Sequence, residues 1–329
     1  MKNASPVIFI LGPTASGKTA LACWLTQFLR STFDKESTLI SVDSACVYRD
    51  MNIGTAKPDA AEQAKYPHQL INLIAPIDVY DAAQFCSDAN AAINAAHAQN
   101  KIPILVGGTM LYIKALVEGL SRLPVADAAV RAMLDAQAAA IGWPAMHDEL
   151  AKIDPLRAAQ LSPNDAQRVQ RALEVFALTG KPMSGQQIRS SSGNPADALP
   201  YRSLFIGLQP SDRTVLHARI AQRFDAMLAQ GLVTEVQALQ QNYILRADMP
   251  AMRAVGYRQV WDFLDVDSPF YNNVGQLRER GLAATRQLAK RQLTWLRAMS
   301  YVESVDCSAA NLNALVGAKV STFLHCPAT

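Results

Sequence analysis

The segment Gly12-Pro13-Thr14-Ala15-Ser16-Gly17-Lys18-Thr19 follows directly on the apolar run Val7-Ile8-Phe9-Ile10-Leu11. This is a complete G-x-x-x-x-G-K-T phosphate loop in its expected setting, a strand leading into a helix. The residue types follow from geometry. The glycines let the backbone curl until successive N–H groups point at one anion. The helix that follows aims the positive end of its dipole at the same place. Lys18 adds a point charge, and Thr19 offers a hydroxyl suited to Mg²⁺. A chance glycine-rich turn is the competing reading. The strand before the motif and the Ala- and Leu-rich helical pattern after it argue against that. The motif implies polyphosphate binding and leaves open whose phosphates are bound.

Strand and helix signals alternate around the motif. Residues 7–11, 38–42 and 102–106 predict strands; residues 18–28, 82–99 and a segment starting at 110 predict helices. Short apolar strands separated by helices predict a parallel α/β sheet. Ligands of such sheets sit beyond the carboxyl ends of the strands. The phosphate loop, Asp43 and Gly107-Gly108-Thr109 all fall at such ends, so three separate positions converge on one predicted crevice.

From about residue 121 to 200 the texture changes. Residues 126–140, 144–153 and 165–178 predict helices with no strand between them, and Gly180-Lys181-Pro182 stops the last. Residues 184–200 are rich in Ser, Gly and Pro and predict a mobile linker. Residues 204–208 return to strand character. The organisation expected is an α/β core from residues 1–120 and 201–329, with an all-helical insertion over 121–200. In the second part of the core, Ser211-Asp212 caps a helix predicted over 213–230 and closed by Gly231. Residues 278–297 predict a basic helix carrying Arg278, Arg280, Arg286, Lys290, Arg291 and Arg297 against Glu279. The chain beyond it has few charges and predicts a short strand or a poorly ordered tail.

Composition narrows the class further. The chain has 329 residues, 50% hydrophobic and 18% charged, a globular composition. The formal charge is +3, so any nucleic-acid surface must arise from local clustering. Five cysteines without a C-x-x-C pair argue against a disulfide framework or a zinc site. The five histidines show no ligand spacing. The start runs into a strand of about five residues, too short for a signal h-region, and no apolar stretch approaches the ~20 residues of a membrane helix. A cytoplasmic protein with no membrane contact is expected. No long apolar heptad is evident, so a monomer is expected.

Asp43 has three open readings: holding Mg²⁺ through water, acting as general base on an acceptor, or capping the next turn. Arg219 and Arg223 lie four apart on one predicted helix, suited to clamping pyrophosphate; a solvated helix face is the alternative. Arg168 and Arg171 share a helix face beside Gln167 and Gln170, a set suited to base edges and phosphates or to plain solvation. Cys46 sits in the site region without a histidine nearby in sequence, which argues against a nucleophile.

Three blocks closely resemble the bacterial tRNA dimethylallyltransferases, also called tRNA isopentenyltransferases: the phosphate loop, residues 43–58 (Asp43-Ser44-Ala45-Cys46-Val47-Tyr48-Arg49-Asp50 through Gly54-Thr55-Ala56-Lys57-Pro58), and Gly107-Gly108-Thr109-Met110-Leu111-Tyr112. The similarity continues through residues 164–168, 253–258 and 285–297, nearly the whole chain. Many members carry Gln where this chain has Cys46. The resemblance implies a P-loop NTPase-like parallel sheet core with an inserted all-helical domain. It implies transfer of a dimethylallyl group from dimethylallyl diphosphate to N6 of the adenosine just 3′ of a tRNA anticodon, with Mg²⁺ as cofactor.

Site roles follow by the same resemblance. Gly12, Pro13, Thr14, Ala15, Ser16, Gly17, Lys18, Thr19 and Arg223 would hold the diphosphate, with Thr19 on the metal. Asp43, Thr109 and Lys18 would be catalytic. The tRNA-facing set would be Asp43, Ser44, Ala45, Cys46, Thr109, Arg131, Gln167-Arg168-Val169-Gln170-Arg171, Arg253-Ala254-Val255-Gly256-Tyr257-Arg258 and Lys290-Arg291-Gln292-Leu293-Thr294-Trp295-Leu296-Arg297. The helical insertion would contact the anticodon stem-loop. The main rival is a P-loop kinase of a nucleoside or small metabolite, which leaves the basic C-terminal helix unexplained. An RNA-binding regulator is a second rival and leaves Asp43 and Thr109 without a task.

Overall fold

The computed structural model describes residues 5–120, 123–186 and 194–325. The chain forms two compact units, Met1–Val117 with Gly193–Thr329, and Glu118–Ser192. The first contains β1 (Pro6–Leu11), α1 (Lys18–Phe33), β2 (Ser37–Val42), α2 (Ala60–Lys65), β3 (His68–Gln69), α3 (Ala82–Ala98), β4 (Ile102–Gly107) and α4 (Met110–Glu118). The second contains α5 (Ala128–Ile141), α6 (Trp143–Ile153), α7 (Pro155–Ala158) and α8 (Ala166–Thr179). The first unit resumes with β5 (Arg202–Gln209), α9 (Arg213–Ala229), α10 (Leu232–Asn242), α11 (Tyr257–Leu264), α12 (Val274–Ala298), β6 (Glu303–Asp306) and α13 (Leu312–His325).

The strands form one parallel sheet in the order β3-β2-β4-β1-β5-β6. The chain leaves β1 toward β2 and β4 and later returns to pair β5 on the other side of β1. The direction of winding therefore switches at β1, the place where such sheets open a crevice. β1 is apolar along its length because both faces are covered. Val7, Phe9 and Leu11 enter one core; Ile8 and Ile10 enter the other. The first core takes Phe85 and Ile93 of α3, Ile220 and Phe224 of α9, and Leu293 and Leu296 of α12. The second takes Leu21, Leu25 and Leu29 of α1 with Val316 and Val320 of α13.

The helical unit has its own core of Leu134, Met146, Leu150, Val169, Leu173 and Val175. Three of its helices, α5, α7 and α8, begin on aspartates. Asp127, Asp154 and Asp165 accept from the backbone N–H of Val130, Arg157 and Arg168. Each satisfies an N–H that the helix itself leaves open.

Several elements differ from expectation. The chain after α12 forms a short strand as expected, β6 on the sheet edge, but then the fourteen-residue α13 rather than a tail. Leu312, Val316 and Val320 recur every fourth residue and supply the apolar stripe. β3 has only two residues and offers no pattern to read. Within 184–200, short 3₁₀ turns occupy Met183–Gln186 and Pro195–Ala198. The rest of the expected linker, 187–193, lies outside the described residues. Gly231 both ends the run of α9 and opens α10, at φ 98°.

Candidate active site

Strand register brings the three expected positions together. Leu11 pairs with Gly107, and Gly107 pairs with Val42. Gly12, Gly108 and Asp43 therefore each lie one residue past the same level of the sheet. Gly108 and Thr109 both donate their backbone N–H to Val42 O, at 3.2 Å. A Cβ on Gly108 would collide with Gln292 Nε2 and stand 2.9 Å from Gly12 O, so glycine is required for this approach.

The phosphate loop opens α1 without a side-chain cap. Gly17 is left-handed at φ 86°, and no side chain accepts from the first N–H groups of the helix. Those donors are available to an anion. The Ser16 hydroxyl is buried with no hydrogen-bond partner among the described residues. Facing the loop is α9. Arg219, Gln222 and Arg223 join Ala15, Gly17, Lys18, Thr19 and Ala20 around a cavity of about 480 Å³.

The charges there are not balanced. Burial, and then the neighbouring Arg223, lower the Lys18 ammonium to about 8; Asp43 opposes both. Burial likewise pushes Arg223 below its ordinary value, again opposed by Asp43. Lys18 Nζ donates to Pro13 O at 2.6 Å and Arg223 to Thr55 O at 3.4 Å. Neither forms an ion pair among the described residues. Two half-buried cations held together beside a loop of free N–H groups form a site for a multiply charged anion.

Of its three readings, the structure shows Asp43 in the cap. Its Oδ1 accepts from Ala45 N at 2.8 Å and Cys46 N at 3.2 Å, capping the turn. Its Oδ2 accepts no hydrogen bond among the described residues. The cap fixes the carboxylate and leaves one oxygen for chemistry. Thr109 Oγ1 accepts from Ser44 N at 3.0 Å and donates toward Ser44 Oγ at 3.4 Å, tying the end of β4 to the same turn. Burial, then Asp43, pushes the Cys46 thiol up, so it stays protonated and is no nucleophile.

Two residues that sequence reasoning did not assign hold this loop. Lys57 Nζ donates to Tyr48 O (2.7 Å), Asn52 Oδ1 (3.1 Å) and Asn72 Oδ1 (2.6 Å). Glu235 of α10 accepts from the N–H of Asn52, Ile53 and Gly54 and from Tyr257 Oη. Lys57 stands in a recognisable motif. Glu235 carries no local signal, because its partners lie far away in sequence.

The expected tRNA-facing segments divide by side chain. On α12, Lys290, Arg291, Thr294 and Arg297 are exposed, whereas Leu293 and Leu296 belong to the core. Trp295 is half-buried under Lys114 Nζ. Gln292 turns inward: Thr14 N donates to its Oε1 at 2.8 Å, and its Nε2 donates to Gly108 O at 2.9 Å. Arg278 and Arg280 are taken up by Asp225 and Asp262. Arg286, Lys290, Arg291 and Arg297 form no ion pair among the described residues. In 253–258, Arg253 and Arg258 are exposed, Ala254 and Val255 are half-buried, Gly256 is buried, and Tyr257 is fully buried. Arg258 pairs with Asp262 at 3.2 Å.

In the helical unit, Gln167 and Arg168 are exposed and Val169 is a core residue. Arg131 and Arg171 both bind the fully buried Glu174, with Arg131 Nε at 2.8 Å, and Asp127 N completes its shell. Burial raises the Glu174 carboxyl, but these donors outweigh it and hold it below its ordinary value. Gln170 donates to Asp135 at 2.6 Å. Arg131, Gln170 and Arg171 therefore spend their donors within the unit, whereas Gln167 is exposed and the exposed Arg168 makes a surface ion pair with Asp165 at 3.4 Å.

A cavity lined by Lys18, Arg219 and Arg223 at the winding switch of a parallel sheet, with an oriented acid nearby, is the arrangement of a P-loop-like α/β protein. A profile described as IPP transferase matches residues 46–299, and the chain belongs to that family. It is 54% identical over 319 residues to a tRNA dimethylallyltransferase of Thiobacillus denitrificans, covering 97% of each chain. The full-length tRNA isopentenylpyrophosphate transferase of Bacillus halodurans has a similar structure, with TM-score 0.68 and 33% identity over 98% of this chain and 97% of that one. A eukaryotic dimethylallyltransferase crystallised acting on tRNA matches with TM-score 0.75 and 26% identity, over 98% of this chain and 80% of that one. The kinase and regulator alternatives are set aside by this membership. No helix among the described residues is long and apolar enough to cross a membrane.

Proposed function

We propose that this chain transfers the dimethylallyl group of dimethylallyl diphosphate to N6 of the adenosine 3′-adjacent to a tRNA anticodon, releasing diphosphate. Family membership supports the reaction class. The observation that carries the site assignment is the convergence of Lys18, Arg223 and a singly occupied Asp43 carboxylate on one crevice.

In the reaction a C–N6 bond forms as the allylic C–O bond breaks. The diphosphate gains charge as it leaves. The N–H groups opening α1, Lys18 and Arg223 stabilise that charge. The N6 amine is a weak nucleophile because its lone pair is delocalised into the ring. Asp43 Oδ2 accepts the N6 proton as the bond forms, while Oδ1 stays anchored. Thr109 holds the Asp43 turn in place through Ser44.

The donor set suits Mg²⁺. The Thr19 hydroxyl is exposed at the cavity, and no group of three or more His, Cys, Asp or Glu gathers among the described residues. Mg²⁺ typically takes one or two protein oxygens and completes its shell with phosphates and water. Thr19 would hold it, and the bound ion would neutralise diphosphate charge.

The target base must leave its stack to enter the crevice. The exposed Lys290, Arg291, Arg297, Arg253 and Arg258 hold the anticodon stem-loop by its phosphates, and Gln167 and Arg168 add contacts from the helical insertion. All groups named come from one chain, which supports a monomer, and a tRNA substrate supports a cytoplasmic protein. The test is mass spectrometry of nucleosides from unmodified anticodon stem-loop incubated with protein, Mg²⁺ and dimethylallyl diphosphate. A dimethylallyl-adenosine peak is expected, reduced by about 10²- to 10⁴-fold in rate for Asp43→Asn. Absence of the peak would sink the proposal.

A further inference from the structure

Gln292 lies in a segment where the resemblance implies RNA contact, yet its side chain points to the loops under the helix. Its Oε1 accepts from Thr14 N of the phosphate loop at 2.8 Å. Its Nε2 donates to Gly108 O at 2.9 Å. These partners lie 278 and 184 residues away in sequence, so tertiary packing alone brings the amide to them.

We propose that Gln292 is a positioning residue: its amide clamps the diphosphate loop to the Gly108-Thr109 corner and sets the distance between the leaving group and the Asp43 turn. This rests on the reaction proposed above. The geometry gives the clamp two outputs. Thr14 N sits inside the loop, so fixing it fixes the curl that presents the later N–H groups. Gly108 precedes Thr109, whose hydroxyl accepts from Ser44 N beside Asp43. One side chain therefore touches the element that holds the diphosphate and the element that holds the base. Gln is the residue type required: one end must accept and the other must donate. Glu supplies the acceptor but replaces the donor with an oxygen beside Gly108 O. Met fills the space and supplies neither.

The clamp also lies on a basic helix. Lys290 and Arg291 precede Gln292 and are exposed, whereas Gln292 is half-buried. RNA held by the outer face of α12 would steady the inner face that carries the clamp. That couples docking of the acceptor to alignment of the donor site without any contact between Gln292 and RNA.

The experiment compares wild type with Gln292→Met and Gln292→Glu, each checked for folding by its thermal midpoint. Three quantities are read: pyrophosphate affinity by calorimetry, anticodon stem-loop affinity by filter binding, and kcat with KM for each substrate. We expect pyrophosphate affinity and kcat to fall about tenfold in Gln292→Met, and more in Gln292→Glu. Stem-loop affinity and its KM should stay within about twofold. A fall in stem-loop affinity with pyrophosphate binding and kcat intact would overturn the clamp and make Gln292 an RNA contact. Unchanged values throughout would also overturn it. If wild type makes no dimethylallyl-adenosine, the proposed function fails on its own, and the pyrophosphate arm with hydrogen exchange at the phosphate loop still decides the clamp. Faster exchange there in Gln292→Met, with weaker pyrophosphate binding, would sustain it.

Discussion

The α/β unit and the helical unit both gather cations, and they treat them in opposite ways. In the helical unit, Arg131 and Arg171 surround a fully buried carboxylate, Glu174, which answers both. In the α/β unit, Lys18 and Arg223 press on each other beside a cavity, with Asp43 as the neighbouring acid. The first arrangement is closed and structural. In the second, neither cation has an ion pair among the described residues, and the proposed diphosphate would answer both. Each place sets two cations near one acid; whether the charge is answered separates a strut from a site.

That contrast makes removal of a charge a diagnostic. Lys18→Met should lower kcat by roughly 10²- to 10³-fold by removing the charge proposed to stabilise the leaving diphosphate. Its thermal midpoint should hold or rise, because the folded state disfavours this ammonium. Loss of stability without loss of activity would break the contrast. Glu174→Ala should do the reverse, costing about 3 kcal/mol by leaving two arginines around an empty centre. Urea unfolding measures this, and pyrophosphate affinity should not change. Acid acts in the same direction. The Glu174 carboxyl is depressed in the folded state, so its contribution is present above the ordinary carboxylate range and is lost as pH falls through the folded value.

A smaller effect is expected on pH. The Lys18 ammonium titrates at about 8 in the free protein, and a bound anion raises it. Taken as a ratio to Lys18→Met, which cancels the protonation of pyrophosphate itself, the affinity should be level below about pH 8 and fall by up to about tenfold per unit above it. Calorimetry of both proteins at several pH values tests this. For stability the sign is opposite. Between about 8 and the ordinary 10.5 the folded protein sheds the proton first, so stability rises with pH there. The smallest expected effect belongs to the exposed face of α12. Lys290→Ala with Arg291→Ala should make the slope of log affinity for stem-loop against log salt shallower, by about one for each phosphate no longer held. Pyrophosphate binding should be untouched.

Much of this was legible in the sequence. The strands containing Phe9, Ile40, Leu105 and Ile206 read as apolar runs because both sheet faces are covered. The phosphate loop, Asp43 and Thr109 were legible as strand-end residues. The helical insertion was legible in its three helical stretches, its freedom from strand signals and the Gly180-Lys181-Pro182 stop. The two-residue β3 was too short to show a period. The terminal α13 was not legible, because sparse charge resembles a tail until Val316 and Val320 are seen against the sheet.

The chain's sequence determined its local geometry. Glycines at fixed offsets curl a loop, a lysine and a threonine follow it, and a carboxylate ends a strand, because those requirements are met within a few consecutive residues. Tertiary structure decided which side chains remain available. Arg171 and Arg223 are both arginines on helices, yet one is bound to a buried glutamate and the other faces a cavity. Gln292 and Arg291 are neighbours, yet one clamps two loops and the other meets solvent. Partners that arrive from hundreds of residues away leave no trace in the local pattern, and it is those partners that satisfy a polar group or leave it free to act.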